Sequence, residues 1–235
     1  MTRVFRRFSR HSQPFPAAYF TLPALAPCKH GSMPSFAAPA VPALPPTLRL
    51  AWLPEREPGP AEPRVRDWLA EVLGCAPVAV PLIRDALDRP RLGAQHRRFD
   101  VNWSHSGDGL VVALGDGLQV GVDVERVRER PRALALAQRY FVPAEADWLA
   151  SLPGDARTTG FLRLWCAKEA VLKAHGRGLA FGLDRLLFAE HDGALELAGC
   201  DRLLGEPEQW SLREFVPAPG YRAAVAWRER AVRAA

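Results

Sequence analysis

The spacing of apolar positions along the chain changes several times, and each change marks an element. Leu48-Arg49-Leu50-Ala51-Trp52-Leu53 reads as a short strand stopped by Pro54. Residues 64–73 (RVRDWLAEVL) put Val65, Trp68, Leu69 and Val72 on one helical face, and Gly74 ends that helix. Val101-Asn102-Trp103-Ser104 opens another strand. Residues 110–114 (LVVAL) and 118–124 (LQVGVDV) form two more on either side of Gly115-Asp116-Gly117. Helical periods follow near 132–140, 144–151 and 157–175, the last ended by the glycines of His175-Gly176-Arg177-Gly178. Strands near 185–190, 194–198, 210–216 and 221–228 complete the pattern. Each half is helix first, then several strands. The order predicts an α+β fold of mainly antiparallel strands packed with helices, in halves at 47–128 and 129–235. No sequence repeat links the halves.

Residues 1–46 break this pattern. They hold nine of the 22 prolines and no clear period. A segment that buries so little apolar surface does not offset its ordering entropy, so a disordered extension is expected. It bears arginines and no acid, as a transit peptide does, but its prolines interrupt any amphipathic helix, and it lacks a signal peptide's charged-then-apolar order. Met33, the only other methionine, is an alternative translation start.

Charge looks at first like a sign of nucleic-acid binding, with a formal net of +5. Its distribution argues otherwise. Six basic residues and no acid fall within residues 1–54, so the remainder carries 25 basic and 26 acidic residues, a net of −1. A basic groove is therefore not expected on the folded part, which disfavours an RNA-binding protein or a nuclease built on a D-x-E pair. No run of about 18 apolar residues suggests a membrane span. Cys28, Cys75, Cys166 and Cys200 show no C-x-x-C spacing. They read as reduced, packed thiols of a cytoplasmic protein.

Three constellations carry candidate chemistry. In Gly121-Val122-Asp123-Val124-Glu125, residues two apart on a strand share a face, so Asp123 and Glu125 stand side by side while Val122 and Val124 face the core. Adjacent carboxylates repel unless a cation lies between them, and such hard oxygen donors suit magnesium or calcium. In Trp165-Cys166-Ala167-Lys168-Glu169-Ala170-Val171-Leu172-Lys173, Glu169 and Lys173 share one helix face. The third is Asn102-Trp103-Ser104-His105-Ser106-Gly107, polar residues at a strand end. Taken singly, each fits an ordinary role: solvent-facing acids, a surface ion pair, a solvated Lys168, a structural histidine.

In combination they do more. N-x-S-H-S, then G-V-D-V-E about 16 residues on, then W-x-x-K-E-A-x-x-K about 40 further, closely resembles the 4′-phosphopantetheinyl transferase superfamily, over roughly residues 48–228. The paired halves are similar to its Sfp-type branch, whose members set two like α/β halves in a pseudo-twofold arrangement within one chain.

The resemblance implies a transfer of the 4′-phosphopantetheine arm of coenzyme A to a serine of an acyl or peptidyl carrier protein, with adenosine 3′,5′-bisphosphate released. It implies Mg2+ held by Asp123, Glu125 and Glu169. It implies coenzyme contacts from Arg66, Arg89, Ser104, His105, Lys168 and Lys173, and catalytic roles for Glu169 and Lys173. Glu169 is the first candidate for taking the serine proton, and Glu125 is the alternative. A monomer is expected, with a carrier whose acidic helix docks on the basic run Arg126-Val127-Arg128-Glu129-Arg130-Pro131-Arg132. Two departures from the family pattern stand out. Glu55–Pro63 is short, acidic and proline-rich, and Asp88 stands where the family has glycine before its phosphate-binding lysine. A degenerate relative that binds without transferring is the rival reading.

Overall fold

The computed structural model describes residues 17–18, 44–54 and 59–230. Apart from Ala17–Ala18 and residues 44–46, the extension expected at 1–46 lies outside them, as does Met33.

Eleven strands and four helices are assigned among the described residues. In chain order they begin with β1 (Ala17–Ala18), β2 (Leu48–Pro54), α1 (Ala61–Leu73), β3 (Leu82–Arg84), β4 (Pro90–Leu92), β5 (Phe99–Ser106), β6 (Gly109–Asp116) and β7 (Leu118–Arg126). They continue with α2 (Ala133–Tyr140), α3 (Pro143–Ser151), α4 (Gly154–His175), β8 (Leu186–His191), β9 (Ala194–Cys200), β10 (Ser211–Phe215) and β11 (Tyr221–Glu229). One sheet runs β1-β2-β6-β5 and a second runs β10-β11-β7, and every pairing is antiparallel. The hairpins β3-β4 and β8-β9 flank them. The α+β, antiparallel architecture is as the periodicity predicts. The short β3-β4 hairpin and the 3-10 turns carry too few residues for any period to announce them.

Alternation along the strands stacks these elements in layers. On β2, Leu48, Leu50 and Trp52 join a core between the two sheets, while Ala51 and Leu53 face α1 through Val65, Trp68 and Leu69. On β7, Val120, Val122 and Val124 point into the same central core, opposite Ala223, Val225 and Trp227 of β11. Ala224 and Ala226 of β11 turn the other way, to the core around α4. Fully burying a Val or Leu side chain contributes roughly 1.5–3 kcal/mol, so these interlayer faces hold the molecule together.

Two local features then set the site. The first is the join between β5 and β7, which belong to different sheets. Asp100, Asn102, Ser104 and Ser106, every second residue of β5, reach across it. Val120 N–H donates to Asp100 Oδ2 (2.9 Å), Val122 N–H to Asn102 Oδ1 (3.0 Å) and Arg126 N–H to Ser106 Oγ (3.2 Å). Side chains thus satisfy buried amides that a neighbouring strand would otherwise pair. The second is Gly121, on the face of β7 opposite Val122. A Cβ there would overlap the carbonyl oxygen of Ala170 and the amide nitrogen of Ala174, and lie 2.9 Å from Ala174 Cα. Only glycine lets α4 lie directly on β7.

Candidate active site

Asp123 and Glu125 share the face of β7 that carries Gly121, so both look toward α4. Because Gly121 admits that helix closely, Glu169 and Lys173, one turn apart, come alongside. Lys173 Nζ donates to Asp123 Oδ1 at 2.6 Å, to Ser104 Oγ at 2.9 Å and to the Val122 carbonyl at 3.4 Å, and it lies 3.8 Å from Glu169 Oε2. Ser104 Oγ donates to the same Asp123 Oδ1 at 2.6 Å, whereas Asp123 Oδ2 is buried without a hydrogen-bond partner. Glu125 Oε2 accepts from Ser106 Oγ at 2.7 Å and from Arg130 Nη2 at 2.6 Å.

Burial and mutual repulsion show in the proton affinities. Burial foremost, with help from Asp123 and Glu125 and against the pull of Lys173, pushes the Glu169 carboxyl up to about 8. Burial also raises Glu125, against the effect of Arg130. For Lys173, burial works against the charged form, but Asp123 and Glu169 outweigh it and hold the ammonium above its ordinary value. Among the described residues no three His, Cys, Asp or Glu side chains are grouped so as to hold a metal ion. Lys173 instead pairs with Asp123 and Glu169, and Arg130 pairs with Glu125. The three side chains nonetheless suit a hard divalent ion: all are oxygen donors, and one buried carboxylate oxygen of Asp123 has no other partner.

A family model described as the 4′-phosphopantetheinyl transferase superfamily matches residues 119–226, the stretch from the acid-bearing strand to the last strand of its sheet. The chain is 34% identical to the 4′-phosphopantetheinyl transferase HetI of Nostoc over 164 residues, 69% of this chain and 66% of that one. It is 31% identical to Sfp of Bacillus subtilis over 125 residues, 53% of each chain. It is 33% identical to AcpT of Escherichia coli over 135 residues, 55% of this chain and 69% of that one. This chain belongs to the 4′-phosphopantetheinyl transferase superfamily. It spans about half the length of the first relatives it matches.

Measured against the transferase resemblance, the other expected site residues divide. Ser104 is at the acids, as a donor to Asp123. His105, next along β5, is half-buried on the opposite face. It shares that face with Trp103, over whose ring the Arg84 guanidinium lies at 5.0 Å. Arg66, part-exposed on α1, donates to the Val80 carbonyl (2.5 Å) and to Glu62 (3.1 Å).

Arg89 and Lys168 depart from the coenzyme-contact expectation. The Arg89 side chain is 3% exposed, with Nη2 on Asp100 Oδ2 (2.6 Å) and on the Val120 carbonyl (2.7 Å), where it clamps β4 to β5 and β7. Lys168 is fully enclosed on another face of α4. Its Nζ meets Glu145 Oε2 at 2.7 Å and the carbonyls of Leu183 and Leu186, under the rings of Phe141 and Phe188. Three acceptors match its three protons, so Lys168 is a core ion pair and is not available to a ligand. Burial lowers its pKa to about 8, against the pull of Glu145.

Sequence reasoning missed Asp100 and Glu145, quoted Ser106 in a motif without giving it a role, and saw Arg130 only as part of a basic run. A signal existed for Asp100 and Ser106: polar residues at 100, 102, 104 and 106 alternate along a strand whose other positions are largely apolar. Glu145 carried a helix-start signal only. It accepts from the Val142 amide as a cap and, in the fold, also from the Phe188 amide (2.8 Å). Cys75, Cys166 and Cys200 are free, and Cys166 is buried beside the acids, its Sγ 3.6 Å from the Arg222 carbonyl. Among the described residues no helix is long and apolar enough to cross a membrane.

Proposed function

We propose that this chain transfers the 4′-phosphopantetheine arm of coenzyme A to a serine hydroxyl of an apo acyl or peptidyl carrier protein. Adenosine 3′,5′-bisphosphate leaves. The observation that carries the reading is Lys173 Nζ seated between Asp123 (2.6 Å) and Glu169 (3.8 Å). It joins two motifs far apart in sequence into one charged site, in a chain whose relatives are named for this transfer.

The chain's own residues supply the following chemistry. Asp123, Glu125 and Glu169 would hold a magnesium ion. When bound, such an ion supplies positive charge at the diphosphate, where negative charge grows as the nucleotide departs. Lys173 presents a fixed ammonium beside that point, with its charge secured by two carboxylates. Ser104 fixes one oxygen of Asp123, which leaves the other to the site. Glu169 takes the proton of the attacking serine, with Glu125 as the alternative acceptor.

The exposed arginines of the 126–132 segment support docking of an acidic carrier helix beside Glu125. The free thiols support a cytoplasmic setting, and the resemblance to the Sfp-type branch, whose members hold two halves in one chain, supports a monomer.

The test is intact-protein mass spectrometry of apo carrier proteins incubated with this chain, coenzyme A and Mg2+. Gain of the phosphopantetheine mass on one of them is the expected result. Coenzyme A binding with no mass gain on any carrier would replace transfer by binding alone.

A further inference from the structure

We propose that Arg130 is an internal counter-cation that latches Glu125 in the cation-free chain and must be displaced before a divalent ion reaches that carboxylate. It thereby sets how tightly the site takes the ion. The inference rests on the reading of Asp123, Glu125 and Glu169 as ion ligands.

Arg130 Nη2 lies 2.6 Å from Glu125 Oε2, the oxygen to which Ser106 also donates. Both acceptor directions of that oxygen are therefore engaged, and any ion approaching it meets a guanidinium charge first. The contact involves one guanidinium nitrogen, not the two-pronged geometry that makes arginine–carboxylate pairs strong. Arg130 Nε is buried with no partner, and Nη2 anchors the guanidinium on Glu125. The residues from 127 to 130, between β7 and the turn into α2, lie outside helix and strand; their backbone is tied by the Val127 amide on the Gly220 carbonyl and by the Ala133 amide on the Arg130 carbonyl, which leave the Arg130 side chain free of them. Lys173 differs: Asp123, Ser104 and the Val122 carbonyl all hold it, and it rides on a buried helix. Of these two cations, Arg130 is held by the fewer side-chain contacts and is therefore the one to be displaced. A pair with side chains 23% and 17% exposed is screened only in part, so its rupture is a measurable cost to ion binding.

Removing a residue that builds the ion site weakens binding, whereas removing a competitor strengthens it, so the sign of the change decides. Free Mn2+ would be followed by its paramagnetic resonance signal during titration of the full chain without coenzyme, for the native protein, Arg130→Gln and Arg130→Lys. Arg130→Met serves as a second neutral variant, and thermal unfolding checks that each is folded. The expected result is Mn2+ binding about three- to tenfold tighter in Arg130→Gln and Arg130→Met, with Arg130→Lys near the native value. Unchanged or weaker binding in the folded neutral variants, beside a native chain that binds, overturns the latch alone. Failure of the native chain and every variant to bind Mn2+ overturns both the ion-ligand reading and the latch. Mass gain on a carrier tests transfer itself independently of either result.

Discussion

Gly121 on β7 lies directly against Ala170 of α4, with no room for even a methyl group between strand and helix. This contact sets the distance between the strand that bears Asp123 and Glu125 and the helix that bears Glu169 and Lys173. Gly121→Ala should force helix and strand apart, since the atoms it meets are backbone and cannot rotate aside. The expected loss is about 1–3 kcal/mol or more, read as a lower denaturant midpoint, with ion binding weakened in whatever remains folded. A midpoint equal to that of the native chain would show that α4 does not depend on this contact.

Asp123→Ala and Glu169→Ala should each reduce carrier modification by at least about a hundredfold, with the circular dichroism spectrum unchanged. Near-normal turnover in either variant would remove the acids from the mechanism.

Lys173→Ala takes away the charge proposed to act in transfer and also a structural partner of Asp123. Asp123, buried and left with Ser104, would lose its counter-ion. Severe loss of turnover is expected together with a lower unfolding midpoint, by several kcal/mol if the carboxylate stays charged. Unchanged kinetics would strip Lys173 of its role.

Lys168 tests the division between core and site. Lys168→Met alone leaves Glu145 charged and buried, at a cost of about 3–5 kcal/mol, and Lys168→Met with Glu145→Gln, which removes the charge but keeps an acceptor for the Phe188 amide, should recover part of that. The Michaelis constant for coenzyme A should stay the same in the double variant. A large rise there, without loss of stability, would return Lys168 to the coenzyme site.

Charge reversal at Arg128, exposed on the segment after β7, should raise the Michaelis constant for an acidic carrier severalfold while leaving that for coenzyme A nearly constant, and added salt should shrink the difference. Equal effects on both substrates would contradict docking at this segment.

Most element boundaries and the pairing of Asp123 with Glu125 on one face were legible in the chain, because hydrophobic periods of 2 and 3.6 report local geometry directly. The surroundings of the long charged residues were not legible in the same way. Lys168 and Lys173 sit on one helix five positions apart and look alike as letters. One is sealed against Glu145 and the other is drawn to Asp123, according to which neighbour covers each face. Arg89 was expected at the coenzyme through the family resemblance alone. Its partner Asp100 lies on another strand, and no local pattern joins them.

The sequence by itself determined the elements and which acids share a strand face or a helix turn, since these follow from steric rules that act within a few residues. Tertiary structure alone decided that Lys173 reaches Asp123, that Arg130 reaches Glu125, and that the β5 side chains hold β7 across the join between sheets. Those contacts depend on which faces meet once the apolar layers are stacked. A periodicity says that a face exists, and only packing supplies its partner.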